Sequence, residues 1–82
     1  MFYTCVIQSI NTGILYKGFT TDLEKRLDEH NTGLSNFTSK LIPWKLVLFE
    51  EHATKKEALK REKWYKTGVG RDWIKQQLEN KN

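Results

Sequence analysis

Three side chains fall on or beside apolar helix faces although their types belong to metal, proton and phosphate chemistry: Arg26, His30 and Glu62. A carboxylate such as Glu62 binds a hard divalent cation through oxygen and leaves water and phosphate to complete its shell. An imidazole changes charge near neutral pH. A guanidinium offers planar, permanently charged donors that fit phosphate. Each residue also has a plainer reading. His30 can be a core histidine bonded to a nearby carbonyl, and Arg26 a surface cation. Ionised carboxylates are almost never buried without a cation or metal, so Glu62 can pair with Arg26 or a lysine, or its helix can be rotated out of phase. The chemistry needs the three groups in one place, which is a demand on the elements that carry them.

Residues 2–9 are rich in β-branched and aromatic types and predict a strand; Asn11-Thr12-Gly13 predicts a tight hairpin, and residues 14–19 the return strand. Thr21-Asp22-Leu23-Glu24 reads as a capping box with Thr21 at the cap. A helix follows to about Thr32, with Gly33 left-handed past its end. At about 100° per residue, Leu23, Leu27 and Leu34 share a stripe that contains His30, and Arg26 lies one turn earlier on its edge. Residues 34–43 are mostly polar and predict a loop.

Residues 44–51 predict a third strand, with Trp44, Leu46 and Leu48 alternating against Lys45, Val47 and Phe49; two largely apolar faces place it centrally in the sheet. Thr54-Lys55-Lys56-Glu57 opens a helix to about Lys66, whose inner face is Ala58, Leu59 and Tyr65 with Glu62 projecting between them. Gly68 and Gly70 stop it. A short helix over 71–78 turns Trp73, Ile74, Gln77 and Leu78 inward. The order β-β-α-β-α-α is an α+β fold, a small three-stranded sheet with helices packed on it.

A chain of 82 residues has room for one core, so residues 1–82 are expected to form a single domain. One cysteine, Cys5, excludes an internal disulfide and a Cys-rich zinc site. No segment reads as a signal peptide or a membrane span, so a cytoplasmic location is expected. The net charge of +4 is unevenly spread: residues 55–75 hold eight cations against Glu57, Glu62 and Asp72. A polyphosphate would be drawn to that segment by Coulomb attraction and counterion release, though a solvated helix face accounts for it equally. Trp64 and Trp73 are types that stack on bases and equally types that fill a core.

With Tyr16-Lys17-Gly18 added, four motifs stand in order. They are Tyr-x-Gly-Phe-Thr on the second strand, Arg-x-x-x-His-Asn on a capped helix, Trp-x-Leu-Val on the third strand, and Glu-Ala-Leu-x-Arg-Glu-Lys on the next helix. Over roughly Phe2 to Lys66 this pattern resembles the GIY-YIG nuclease superfamily, most closely its small stand-alone bacterial members. The resemblance implies a three-stranded antiparallel sheet flanked by helices. It also implies a metal-dependent endonuclease that hydrolyses DNA phosphodiesters with one divalent cation, Mg²⁺ first and Mn²⁺ second. Structure selectivity and a role in DNA repair are the broader expectation, and the sequence does not separate DNA from RNA.

By position, the resemblance makes Tyr16 the tyrosine of the second half-motif and Gly18 its glycine. It makes Arg26 the catalytic arginine, Glu62 the metal-binding glutamate, and His30 a residue that helps activate the nucleophile. Tyr16 would receive the proton of the attacking water, and Gly18 would let the backbone approach the nucleic acid. Lys17, Lys40, Lys63 and Lys66 flank these motifs and are the expected phosphate contacts. One position departs: Cys5 stands where the first half-motif normally ends in tyrosine, and Tyr3 lies two residues earlier on the same strand face. The departure supports a second reading, a nucleic-acid-binding module of the same fold that cleaves weakly or not at all. A third reading is a protein-interaction domain.

Overall fold

Gly13, at φ +78°, turns the chain between two strands, a left-handed geometry that glycine adopts without penalty. In the computed structural model, which describes residues 1–33 and 38–80, β1 (Phe2–Ser9) and β2 (Leu15–Thr20) form that hairpin. After it come α1 (Leu23–Asn31), a 3₁₀ turn (Thr38–Leu41), β3 (Trp44–His52), α2 (Lys55–Tyr65) and α3 (Gly68–Asn80). The expected α+β order is present, and the sheet is antiparallel throughout. Gly33 takes φ +82° after α1, as expected. Leu34, assigned to the His30 stripe, lies outside the described residues. Among the described residues no helix is long and apolar enough to cross a membrane.

The strand order is β2-β1-β3, so β3 lies at an edge and β1 at the centre, against the sequence expectation. Helices cover both sheet faces, and apolarity on both sides of β3 reports that cover rather than a central position. The contiguous buried run Thr4–Ile7 belongs to β1. The alternation expected along β3 is also broken. Its register against β1 shifts between Val6 and Ile7, so Leu48 faces Val6 while Leu46 faces Ile7 and Val47 is the extra residue. Leu46 and Leu48 therefore point to opposite faces.

Two helix starts differ from expectation. Asp22, not Thr21, caps α1: its carboxylate accepts the Lys25 backbone N–H at 3.1 Å, and Thr20 supports the turn by accepting the Asp22 N–H. A carboxylate at that site also favours the positive end of the helix dipole. The last helix begins at Gly68 rather than Arg71, because the Thr67 hydroxyl accepts the Gly70 N–H at 3.1 Å and caps it there. Gly70 is thus inside α3 rather than a break before it. Thr54 caps α2 as expected, accepting the Glu57 N–H at 3.2 Å.

Val6, Leu48, Tyr65 and Ile74 form the core between the sheet and α2–α3, with Trp64, Trp73 and Leu78 packed against it. Leu59, expected inside, is 42% exposed. Trp64 and Trp73 meet edge-on at 5.7 Å, and the Arg61 guanidinium sits 4.1 Å above the Trp64 ring. Both indoles hold α2 to α3, the packing role rather than the base-stacking one.

A polar network ties α2 to the sheet. Tyr65 donates to Glu50, its hydroxyl lies 2.9 Å from Thr4, and Arg61 Nε meets Glu50 at 2.8 Å. Burial pushes the Glu50 carboxyl up, but hydrogen bonds from Arg61 and Tyr65 outweigh it, and the net direction is below the ordinary value of 4.5. A carboxyl depressed in the folded state adds stability that is complete above its unfolded pKa and fades as pH falls through the folded one. Thermal melts should therefore lose midpoint temperature as pH drops below about 4.5. Glu50→Gln should melt lower than the parent at neutral pH and converge with it in acid; an unchanged gap would remove Glu50 as the cause.

Candidate active site

The β1–β2 register sets Ile7 opposite Tyr16 and Cys5 opposite Gly18, so these four residues share the sheet face that α1 covers. His30 is buried on α1, and its ring centroid lies 4.8 Å from that of Tyr16. Trp44 lies 6.4 Å from both rings. α1 is pinned in this position by Asn31, whose side chain donates to the Trp44 carbonyl at 3.0 Å and accepts the Trp44 N–H at 2.6 Å. Asn31 and Trp44 were not singled out from sequence for this work, although Asn31 directly follows His30 in the quoted motif.

Gly18 opens the space between Tyr16 and Cys5. A Cβ built there would stand 3.4 Å from Tyr16 Cε1 and 3.9 Å from Cys5 Sγ. Burial pushes the Cys5 thiol up to about 11; Arg26 acts against this and Glu62 adds to it, so both charged groups lie within electrostatic reach of one sulfur. A thiol this weakly acidic stays protonated at neutral pH. Tyr3, two residues away, packs edge-on against Phe49 with centroids 6.3 Å apart.

Arg26 and Glu62 do not neutralise each other. The Arg26 guanidinium meets Glu29 at 3.9 Å, and its Nε is buried with no hydrogen-bond partner among the described residues. Glu62 is half-buried and enters no ion pair among them. The plainer expectation for Glu62, a salt bridge to Arg26 or a lysine, is not met. Burial lowers the His30 pKa and Arg26 lowers it further, with Glu29 opposing, so the ring is neutral at pH 7.

The donor set fits a hard divalent cation of the Mg²⁺ kind. No group of three or more His, Cys, Asp or Glu side chains gathers among the described residues, so there is no dedicated protein cage. Mg²⁺ does not need one, since it keeps several waters and binds through one or two carboxylates plus substrate phosphate. Of the expected phosphate contacts, Lys17 and Lys66 come together: burial lowers the Lys17 pKa, and the Arg71 and Lys66 charges lower it further. Lys40, on the 3₁₀ turn, and Lys63, on α2, are exposed.

Residues 1–77 match the GIY-YIG catalytic domain. The chain belongs to the GIY-YIG family. It is 42% identical over 55 residues to a UPF0213 protein of Streptococcus agalactiae, a match spanning 66% of this chain and 62% of that protein. It is 46% identical over 56 residues to a UPF0213 protein of Staphylococcus saprophyticus, spanning 67% of this chain and 68% of the other. This GIY-YIG chain thus spans somewhat under two thirds of the length of the Streptococcus relative. The solution NMR structure of a UPF0213 protein from Bacillus halodurans superposes with a TM-score of 0.53 at 26% identity, covering 90% of this chain and 82% of that one.

Proposed function

We propose that this GIY-YIG chain is an endonuclease that hydrolyses DNA phosphodiester bonds with the help of one divalent cation at Glu62. The observation that carries the reading is a loosely held Arg26 guanidinium, 3.9 Å from Glu29 and with its Nε lacking a hydrogen-bond partner among the described residues, together with a Glu62 carboxylate that enters no ion pair among them, both charges acting on Cys5. A guanidinium and a carboxylate that do not pair with each other suit a site that takes an anion and a cation together. Arg26 binds and orients the scissile phosphate and stabilises charge that grows on its oxygens. Tyr16 takes the proton of the attacking water as its own phenolic proton passes to neutral His30, whose ring lies 4.8 Å away and tilted against it. A divalent cation held by Glu62 would supply charge stabilisation during phosphodiester cleavage.

Supercoiled and branched DNA incubated with the protein should be nicked with Mg²⁺ and left intact with EDTA. Glu62→Ala should lower the rate by at least about 10²-fold, since a metal's stabilisation of transition-state charge amounts to several kcal/mol, while DNA affinity persists. A second reading, a binding module that does not cleave, is favoured by one observation: the Cys5 thiol stays protonated and supplies no tyrosine hydroxyl. DNA binding without nicking under Mg²⁺ or Mn²⁺ would select it.

A further inference from the structure

The sheet face opposite Tyr16 and His30 carries a second feature, a cleft of about 710 Å³ between the hairpin, the start of β3 and α3. Lys17, Lys45, Arg71 and Lys75 line it, against two carboxylates, Asp72 and Glu79. None of the four cations enters an ion pair among the described residues. Leu15, Ile74 and Leu78 give the cleft an apolar floor. Like charges are gathered here at a cost: burial and the charges of Arg71 and Lys66 all disfavour the Lys17 ammonium. An arrangement that repels itself when empty is stabilised by an anion.

The cleft is connected to the candidate active site through β2 and α2. Tyr16 and Lys17 are consecutive on an edge strand, so one points to the α1 face and the other into the cleft. At the C-cap of α2, Lys66 follows Glu62 by four residues, and its charge acts on Lys17. A chain of cations thus leads from the Glu62 carboxylate over the β2 side to α3. The cleft volume is in the range of sites for small organic molecules, roughly 300–1,000 Å³, which admits one strand and not a duplex.

We infer that this cleft binds a single-stranded phosphodiester segment continuous with the cleaved nucleic acid, so that the preferred substrate carries a single-stranded branch. The inference rests on the nuclease reading for the identity of the polyanion. The test is binding of two fluorescent DNAs in EDTA, one a blunt duplex and the other the same duplex with an oligo-dT tail. The protein is compared with the triple variant Lys45→Gln, Arg71→Gln, Lys75→Gln; all three side chains are exposed, and circular dichroism verifies the fold.

Single-strand binding follows a salt slope of about −0.7 per phosphate neutralised, so losing three contacts should flatten the log–log slope for the tailed DNA by about 2. Affinity for the tailed DNA should fall at least about tenfold at low salt, with blunt-duplex affinity unchanged. Equal losses on both DNAs, or none on either, would overturn the inference. So would competition by poly-glutamate as strong as that by oligo-dT, which would make the cleft a general acidic-peptide surface. A chain that shows the tail effect but never nicks DNA would sink the nuclease reading alone, and nicking without the tail effect would sink this inference alone.

Discussion

Arg26→Ala should reduce DNA cleavage by about 10²–10³-fold, the loss seen when one preorganised donor to a developing oxyanion is removed, and should leave the melting temperature unchanged or raised. The two halves of that expectation come from the same observation. Arg26 spends nothing visible on the fold: its pairing with Glu29 is long, at 3.9 Å, and partly exposed, the kind of contact worth about 0–1 kcal/mol. Its Nε is buried without an acceptor among the described residues, and an unsatisfied buried donor costs roughly 1–3 kcal/mol. Deleting the side chain relieves that cost. Arg26→Lys separates charge from geometry, because lysine keeps the cation and loses the planar fork; it too should cleave slowly. Paired measurements of cleavage rate and melting midpoint decide the matter. A variant that melts much lower while cleaving at the parent rate would make Arg26 an ordinary structural cation.

Legibility from sequence followed the range of the interaction. Local chemistry was readable: Thr54 at the cap of α2, Gly13 and Gly33 in left-handed turns, and the helix phase that carries His30 inward all depend on residues a few positions apart. Even here near-equal candidates misled, since Thr21 and Asp22 both offer a capping oxygen and only the chain's path chose Asp22. Long-range pairing was not readable. The apolar faces of β3 look the same whether a strand is flanked by strands or roofed by helices, and the extra residue Val47 leaves no mark in composition.

The candidate site shows the same division. Residue type, phase and the family pattern nominate Tyr16, Arg26, His30 and Glu62 as candidates. The way they are held is not legible, because Asn31 clamping Trp44, and Glu50 joining Arg61 to Tyr65, span 11 to 15 positions, and Asn31, Glu50 and Arg61 look like surface in sequence. Lys45 is a plain exposed strand residue in sequence, and only the antiparallel register sets it in one cleft with Lys17 and Arg71.

Gly70→Ala should lower the melting temperature by more than about 10 °C, taking about 3 kcal/mol or more at roughly 4–8 °C per kcal/mol for a domain of this size. Helix propensity argues the other way, since alanine inside a helix is favoured over glycine by about 1 kcal/mol. Contact geometry decides which wins. A Cβ on Gly70 would fall 2.0 Å from the Trp64 carbonyl oxygen and within 2.9 Å of Tyr65 Cα. These are backbone atoms, so no rotamer change makes room and α3 must move away from α2. That seam holds the Tyr65–Trp73 stack and the Arg61 guanidinium over Trp73. α2 also carries Glu62, so cleavage should fall together with stability. Gly68→Ala is the matched control at the first residue of the same helix: nothing lies within 4 Å of its Cβ position, and its midpoint should hold or rise. If both alanines raise the midpoint, propensity governs, and the close approach of α2 and α3 is not what fixes α2 and its Glu62.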